Sequence, residues 1–503
     1  MTNLPRTPAV QGRGLPPGPR LPRTVQTLRW LFDGPRFMDE CRERFGSLFT
    51  LDLHPLAVGG PGSHREPTKR VFVCDPEHIK QVFTAAPEAV LTGVTNMFLL
   101  PVVGPESILV LDEPRHLEER KLLLPPFHGE RVLRYESLIR EVTLREIARW
   151  PIGKPFAIWP RMQAITLEVI VRAIFGIGEP AQVTLFFSLL SRMLDEMTGA
   201  GFQIKAGLLA AFRNRGRANA VESRSAQRLV RSLDEALGAE IARRRACADF
   251  EEREDVLSAL MSARDSTGTA LGDRQLRDEL VTLLIAGHES TATMLAWAFE
   301  RLLRHPEKLD RLRDEIAKGG HTYADAVVKE TLRLRPVLPI VLRALAIPME
   351  LDGYQLPAGT WIAPCAYLVN RDPKIYPAPR QFLPERFLEK PPGPYSWTPF
   401  GGGVRRCVGA AFAQLEMRVV LQTVLSRLDL RVQNASGERI GRRFITLAPA
   451  RGGRVVLAGK LAERAHDAAA DERPTVDHHE EQQLARQRDD RRAEHEHAQT
   501  HQN

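Results

Sequence analysis

A glycine-rich loop near the end of the chain constrains the fold more than any other feature of the sequence. The loop spans Phe400–Gly409, reads FGGGVRRCVG, and is followed by a helix-like run. Glycine has no Cβ, so this backbone can pass close under a flat group. A turn of this kind at the start of a helix also exposes N–H groups, which favour an anionic sulfur on Cys407. The alternative is a surface loop with a free cysteine.

The composition is that of a large globular protein with few constraints from cysteine. The 503 residues are 43% hydrophobic, which is enough for a large core. Five cysteines are an odd number with no C-x-x-C spacing, which argues against a disulfide framework, a zinc ribbon or an iron–sulfur cluster and predicts a reducing cytoplasm. The net charge is +8, but the basic residues form no motif with aromatic residues, so we expect no nucleic-acid partner.

The chain divides by composition into three parts. Residues 1–20 are rich in Pro, Gly and Arg and predict a flexible leader. Residues 21–459 form the body of the fold. Residues 460–503 carry seven basic and eleven acidic side chains with almost no large apolar residue, which predicts a disordered tail. Every apolar run is too short to span a bilayer, so we expect neither a signal peptide nor a membrane anchor.

Apolar periodicity predicts a mainly α protein with a small β subdomain. The predicted helices are Glu136–Trp150, Met162–Phe175, Val183–Met197, Ala226–Arg244, Asp255–Ala263 and Tyr323–Arg335. The predicted strands are Ser47–Leu53, Arg70–Cys74, a pair within Met349–Leu356 that turns at Asp352-Gly353, and Arg454–Ala458.

One long helix is predicted from Asp273, as its N-cap, to His305, before Pro306. Its centre, Ala286–Thr291, combines small residues with an acid and two hydroxyls. Burying a carboxylic acid costs free energy unless a partner or a function compensates for it. Hydroxyls at 290 and 291 can bond back to carbonyls, and Gly287 weakens the helix further, so we expect a local widening there.

Three further motifs carry charge. Glu330 and Arg333 are three residues apart on one helix face, and Pro384-Glu385-Arg386-Phe387 follows later in the chain. His116 and Arg120 share a helix face at i, i+4. Each of these motifs alone is common on protein surfaces.

Together, and in this order, the motifs resemble the cytochrome P450 family. The loop fits the cysteine-ligand pattern F-x-x-G-x-R-x-C-x-G, which a random sequence matches at roughly one in a million starts. Ala286–Thr291 matches the oxygen-binding pattern A/G-G-x-D/E-T-T/S, with Ser290 where the family usually has threonine. The resemblance spans about Leu15–Leu457 and implies the cytochrome P450 fold, with residues 21–459 as the heme domain.

The resemblance also implies roles for individual residues. Cys407 would be the axial ligand of the iron of heme b. The residues that would bind the heme propionates are His116, Arg120, Arg343 and Arg405. The catalytic residues would be Glu289, Ser290 and Thr291. A buried structural network, Glu330, Arg333 and Arg386, would hold the cysteine loop in shape.

The implied activity is that of a heme-thiolate monooxygenase, which inserts one oxygen atom from O₂ into a lipophilic substrate such as a fatty acid, terpenoid or steroid-like molecule. The residues expected to line the substrate pocket are Met97, Phe98, Leu99, Ala286, Ile340 and Val341. The sequence has no room for a flavin or iron–sulfur domain, so a separate ferredoxin and ferredoxin reductase would supply electrons. Arg405, Arg406 and Arg418 are candidates to meet that acidic partner.

Two alternatives stay open: a peroxide-using or O₂-independent heme-thiolate enzyme, and a non-catalytic heme-binding protein.

Overall fold

In a computed structural model, the described residues are 14–54, 67–176, 180–198, 224–443 and 445–461. The chain divides into two units, Met1–Lys460 and Leu461–Asn503. Most of the predicted leader and nearly all of the predicted tail lie outside the described residues, so both stay predictions. No helix in the described part of the chain is long and apolar enough to cross a membrane.

The fold is mainly α with small sheets, as predicted. The predicted helices are all present with slightly shifted ends: Glu136–Ile147, Ile158–Phe175, Pro180–Thr198, Arg224–Arg245, Val256–Ser262, Asp273–Leu302 and Thr322–Leu334. The other α-helices are Arg23–Phe45, Pro76–Thr84, Gly93–Asn96, Leu100–Val103, Arg115–Leu123, Pro306–Ala317, Ala366–Val369, Arg386–Glu389 and Ala410–Arg427. Short 3-10 helices are Met97–Leu99, Pro125–Phe127, Gly129–Tyr135, Phe250–Glu252 and Gly403–Arg405.

Helix Arg23–Phe45 was not predicted, and its sequence explains why. It contains Asp33-Gly34-Pro35, which has the composition of a turn. Asp33 is non-helical (φ −143°, ψ 37°), so two helical segments meet at a kink. The inner face of both segments is buried, through Trp30, Phe37 and Met38. Tertiary packing therefore holds together a helix that local propensity would divide.

The largest sheet has five strands, and its order is Leu48–Asp52, Lys69–Val73, Trp361–Pro364, Arg343–Leu345 and Val90–Leu91. Three smaller sheets pair Met349–Leu351 with Tyr354–Leu356, Ile440–Arg443 with Thr446–Pro449, and Arg454–Lys460 with both Pro155–Ala157 and Leu428–Val432. In the predicted hairpin, Asp352 and Gly353 both have positive φ (50° and 75°), which is the geometry that favours glycine in a two-residue turn.

Strand Trp361–Pro364 lies at the centre of the large sheet, yet the sequence did not predict it. It is only four residues long and all four are buried. It therefore lacks the alternation of apolar and polar residues seen in a strand with one solvent-exposed face. Alternation appears in its contacts instead. Ile362 packs on one side of the sheet with Val71, and Ala363 on the other with Phe72.

The long central helix, Asp273–Leu302, is correctly predicted in extent but not in its start. Asp273 is the first helical residue, and Gly272 holds the cap position without any side-chain hydrogen bond. The predicted N-cap role of Asp273 is therefore wrong. The side chain of Asp273 instead pairs with Arg245 at the end of the preceding long helix.

The helical run is continuous across the centre of this helix, and the local widening expected there stays a prediction. The expected back-bonds do form: Ser290 Oγ donates to the Ala286 carbonyl (2.7 Å) and Thr291 Oγ1 to the Gly287 carbonyl (2.8 Å). Gly287 serves packing, since a Cβ there would lie 3.1 Å from Ile170 Cδ1. A glycine that admits a neighbouring helix gains contact on both sides.

A buried ion pair joins helix Thr322–Leu334 to the segment that leads towards the cysteine loop. Arg333 and Glu330 are both 0% exposed and share two hydrogen bonds, of 2.6 and 2.7 Å. Arg333 also donates to the carbonyls of Asn370 and Pro379 (2.7 and 2.8 Å). Arg386 reaches Glu330 at 3.4 Å. The three residues of the predicted network are thus brought together, with Arg333 as the residue that makes the most bonds.

We expect Arg333→Met to lower the stability of the protein by roughly 3–5 kcal/mol, because it leaves a buried carboxylate without its partner. Arg386→Met is the matched control, since Arg386 is 13% exposed and its contact with Glu330 is long. Urea unfolding of both variants measures the difference. Equal losses would show that the pair does not have the central role assigned to it.

Candidate active site

The cysteine loop, Phe400–Gly409, is closed by its own backbone. The Cys407 N–H donates to the Phe400 carbonyl (2.9 Å), and the Arg406 N–H donates to the Gly403 carbonyl (3.1 Å). Helix Ala410–Arg427 begins three residues after the cysteine. The side chain of Cys407 is accessible, although protein atoms surround the residue. A side chain that is accessible although protein atoms surround it is typical of a residue on the floor of a cleft.

Two glycines of this loop rest on Phe83, the penultimate residue of helix Pro76–Thr84. A Cβ on Gly402 would lie 2.4 Å from the Phe83 ring, and one on Gly403 would lie 2.0 Å from the Phe83 carbonyl oxygen. Gly403 also has φ +62°, which side chains rarely adopt. The glycines therefore allow the loop to approach Phe83 closely, whereas the predicted close approach to a flat bound group stays a prediction.

Burial raises the pKa of the Cys407 thiol, and three smaller effects oppose it: the Gly409 N–H, Arg120 and Arg406. The sequence suggested that exposed N–H groups would favour the anion. They act in that direction, but burial outweighs them in the protein alone. A metal that binds the sulfur would supply the remaining stabilisation, because only the thiolate is a good ligand.

The four predicted propionate-binding residues come from three separate elements and meet close to the loop. His116 and Arg120 lie on helix Arg115–Leu123, Arg343 begins a strand, and Arg405 belongs to the cysteine loop. Burial and the three arginines lower the pKa of His116 to about 3. Burial lowers the pKa of Arg343 to about 10. Such crowding of buried cations is costly unless anions join them.

Two acids in this cluster were missed by the sequence analysis. Arg405 donates to the Leu111 carbonyl (2.8 Å) and contacts Asp112 (3.3 Å) and Glu113 (3.2 Å). Asp112 also accepts bonds from the N–H groups of residues 92–94 and so holds the start of a short helix. The only signal was their position four and three residues before His116, and an Asp-Glu-Pro sequence is too common to be informative.

Glu289 is held by groups from two other elements. Its Oε2 accepts from Gln163 Nε2 at 2.8 Å, and its Oε1 lies 3.8 Å from Arg443 Nε. The Arg443 guanidinium in turn lies 4.0 Å from the ring centroid of Trp159. The sequence did not indicate Gln163 or Arg443, because neither residue lies in a recognisable motif.

The predicted pocket residues lie in different surroundings. Ala286 is exposed in the middle of the otherwise largely buried central helix, which indicates an internal space on that side. Met97–Leu99 form a partly buried 3-10 turn. Ile340 and Val341 are partly buried and pack against two different core clusters. Membership of one pocket stays a prediction for this set.

These observations fit a heme. An accessible cysteine at a helix start offers the soft ligand, four cationic or histidine side chains lie beside it, and the exposed Ala286 leaves space on the central helix. A large planar dianionic group would neutralise the buried arginines. The fold and the site therefore define a heme-thiolate protein.

Comparisons with known proteins give the same answer. The family model described as Cytochrome P450 matches residues 16–452. A protein of Mycobacterium bovis named putative cytochrome P450 135B1 is 41% identical over 451 residues, which cover 88% of this chain and 91% of that protein. Putative cytochrome P450 137 of Mycobacterium tuberculosis is 38% identical over 457 residues, 90% of this chain and 92% of its own length. The chain belongs to the cytochrome P450 family.

Solved structures show the same fold. A cyanobacterial CYP120A1 structure, titled as bound to retinoic acid, has a TM-score of 0.74 and 23% identity, and the match covers 90% of this chain and all of that one. The heme domain of cytochrome P450DA gives the same TM-score at 20% identity, over 91% of this chain and 99% of the other. Membership of the family implies an oxidoreductase of the monooxygenase class that binds heme and O₂ and receives electrons from a redox partner.

We expect Gly403→Ala to destabilise the cysteine loop by more than about 1–3 kcal/mol, because its Cβ would overlap a backbone oxygen and its φ is positive. Gly409→Ala is the matched control, since a Cβ there meets nothing within 4 Å and its φ is −85°. Thermal unfolding and the amount of heme retained on purification measure both effects. Similar behaviour of the two variants would contradict the role given to Phe83.

Proposed function

We propose that this protein inserts one oxygen atom from O₂ into a lipophilic small molecule, a fatty acid, terpenoid or steroid-like compound, with heme b held by Cys407 and with electrons from a ferredoxin and its reductase. The observation that carries the proposal is the accessible Cys407 in a backbone-closed loop at a helix start. Heme bound through a thiolate supplies the activation of O₂, because the sulfur donates electron density that favours O–O cleavage.

The residues around the loop would fix the cofactor by charge. Arg405, Arg343 and Arg120 offer guanidinium groups to the heme carboxylates, and His116 offers a ring nitrogen. To do so, Arg405 would exchange its contacts with Asp112 and Glu113 for a carboxylate of the cofactor. A guanidinium suits this task because its planar fork matches a carboxylate.

Proton delivery would depend on Glu289 and Ser290. The Glu289 carboxylate is partly buried and held by Gln163 and Arg443, and opening of either contact would free an oxygen to exchange a proton with solvent. The Ser290 hydroxyl donates a hydrogen bond to the Ala286 carbonyl, which leaves its oxygen able to accept a hydrogen bond from a water. Thr291 makes the equivalent bond one residue later and supports the same stretch of helix.

The proposed substrate class rests on apolar side chains. Met97, Phe98 and Leu99 form one short turn, and the exposed Ala286 adds a small surface on the central helix. An apolar site of this kind favours a lipophilic ligand. The loop that follows the turn is fixed to the central helix, because Glu279 accepts from the Ile108 N–H (2.7 Å).

The proposed site for the electron donor is the outer side of the cysteine loop. Arg406 is exposed there and is available to an acidic partner. Arg418 lies 3.4 Å from Asp325, so its charge is partly compensated already. Arg406 is therefore the stronger candidate of the two. A cytoplasmic location stays a prediction that rests on the cysteine content.

The first test is the spectrum of the dithionite-reduced protein with CO, beside that of Cys407→Ala. We expect a strongly red-shifted Soret band that disappears in the variant, because only a thiolate ligand gives that shift. Val408→Ala, next in the chain, is the control and should keep the band. An unshifted band in the unaltered protein would remove the basis of the proposal.

Turnover separates the alternatives. Substrate-dependent consumption of O₂ with NADH, ferredoxin and reductase is the expected result. Product with peroxide alone, and none with the electron-transfer proteins, would favour the peroxide-using alternative. Heme binding with no product under either condition would favour the non-catalytic one.

Position 290 allows a test of the proton step. Ser290→Thr keeps the hydroxyl and adds a methyl that restricts χ1, so we expect more product per O₂ consumed. Ser290→Ala removes the hydroxyl, and we expect product formation to fall on the order of 10²-fold while peroxide release rises, as for loss of a general-acid relay. Product, peroxide and O₂ measured together decide this. If both variants behave like the unaltered enzyme, residue 290 does not relay protons.

A further inference from the structure

Glu113 joins two residues that the family motifs assign to the cofactor, while the motifs give Glu113 itself no role. Its carboxylate lies 2.9 Å from His116 Nδ1 and 3.2 Å from Arg405 Nε, and it accepts the Leu117 N–H at 3.0 Å. The three side chains are 6%, 3% and 10% exposed for Glu113, His116 and Arg405. A buried carboxylate at the meeting point of a histidine and an arginine fixes the orientation of both.

The contact with Glu113 determines which ring nitrogen of His116 carries the proton in the heme-free protein. Four charged groups act on the pair besides each other: Arg120 on the helix of His116, Arg343 on the neighbouring strand, Arg405 on the cysteine loop, and Asp112 just before Glu113. Burial first, and then the three arginines, lower the pKa of His116 and so keep the imidazole neutral. Since Nδ1 faces a carboxylate, the contact favours the neutral tautomer whose single proton lies on Nδ1 and whose Nε2 is bare.

A bare Nε2 is an acceptor and repels a carboxylate. The neutral ring that Glu113 selects is therefore unsuited to hold a heme propionate, although His116 occupies a position that the resemblance assigns to that task. The conflict disappears if the ring gains a second proton when the cofactor enters. Two carboxylates of the cofactor would add negative charge beside the ring, and Arg405 would turn from Glu113 to one of them, which would leave Glu113 to His116 alone.

We propose that Glu113 and His116 form a proton-accepting pair, in which Glu113 holds Nδ1–H and one proton taken from solvent binds Nε2 when a cofactor carboxylate arrives there. This inference rests on the proposed function in one respect, that the cofactor carries carboxylates. Glu113 is then a positioning residue: it never touches the heme, but it makes His116 an imidazolium donor. The pair would add affinity at neutral pH and lose it as the pH rises through the titration of the loaded His116.

The experiment reads the proton directly. Full-length protein with ¹⁵N-labelled histidine is compared without heme and as the diamagnetic ferrous–CO complex, and His116→Gln assigns the signal. We expect a neutral ring protonated on Nδ1 in the heme-free protein and protons on both nitrogens in the loaded protein at pH 7. Neutral His116 in the loaded protein would overturn the proposal without any variant.

Glu113→Gln tests the contribution of the carboxylate, because Gln still accepts from Nδ1 but has no charge. We expect the loaded His116 to lose its second proton at lower pH, and heme transfer to apomyoglobin at pH 8 to become ~10-fold faster, as for one unit of pKa. Glu118→Gln is the matched control, because Glu118 is an exposed acid on the helix of His116. It should change neither the titration of His116 nor the rate of heme transfer. Glu113→Asp, which keeps the charge, should restore part of the effect.

The outcomes are separable. An unchanged titration of His116 in Glu113→Gln overturns the proposal. If that variant does not fold, the protonation state of the unaltered protein and the Glu113→Asp titration still decide it. A heme-loaded protein with doubly protonated His116 but no red-shifted CO band would contradict the proposed function and support this inference.

Discussion

The buried pair of Glu330 and Arg333 fixes the path of the segment that precedes the cysteine loop. Both residues lie on one helix, but their remaining bonds reach segments far along the chain, including the Leu383 N–H, which donates to Glu330 at 2.9 Å. Asn370 adds a bond to the Arg333 carbonyl (3.1 Å). An ion pair without water must satisfy every remaining donor and acceptor. Here the segment leading to the cysteine loop supplies them, so its path is fixed by hydrogen bonding.

The sequence predicted the elements whose pattern is local and periodic. The seven predicted helices and the strands around residues 48–52 and 69–73 were found because apolar spacing, helped in the central helix by Pro306, indicates them locally. Helix Arg23–Phe45 and strand Trp361–Pro364 were missed, because the first contains a turn-like sequence and the second is buried on both sides. In each case contacts distant in sequence decide the structure, and no local pattern records them.

The candidate site divides in the same way. Cys407, Glu289 and the Glu330 network could be predicted because fixed residues at fixed spacing carry them. Glu113, Gln163 and Arg443 could not, because each acts on a predicted residue from a different element. The direction of the Cys407 pKa could not be predicted either, since it depends on how completely the fold surrounds the sulfur. Motifs identify the candidate reacting groups, whereas the fold supplies the groups that hold them.

The contact of the cysteine loop with Phe83 has a consequence for how this protein can vary. The two glycines differ in kind: Gly402 meets the ring of Phe83, whereas Gly403 meets its backbone oxygen. A smaller side chain at 83 would make room for a side chain at 402, where φ is −161° and any residue fits. No exchange at 83 removes a backbone oxygen, so position 403 has no compensating partner. Neighbouring positions in one motif therefore differ in evolvability, one open to paired change and the other closed.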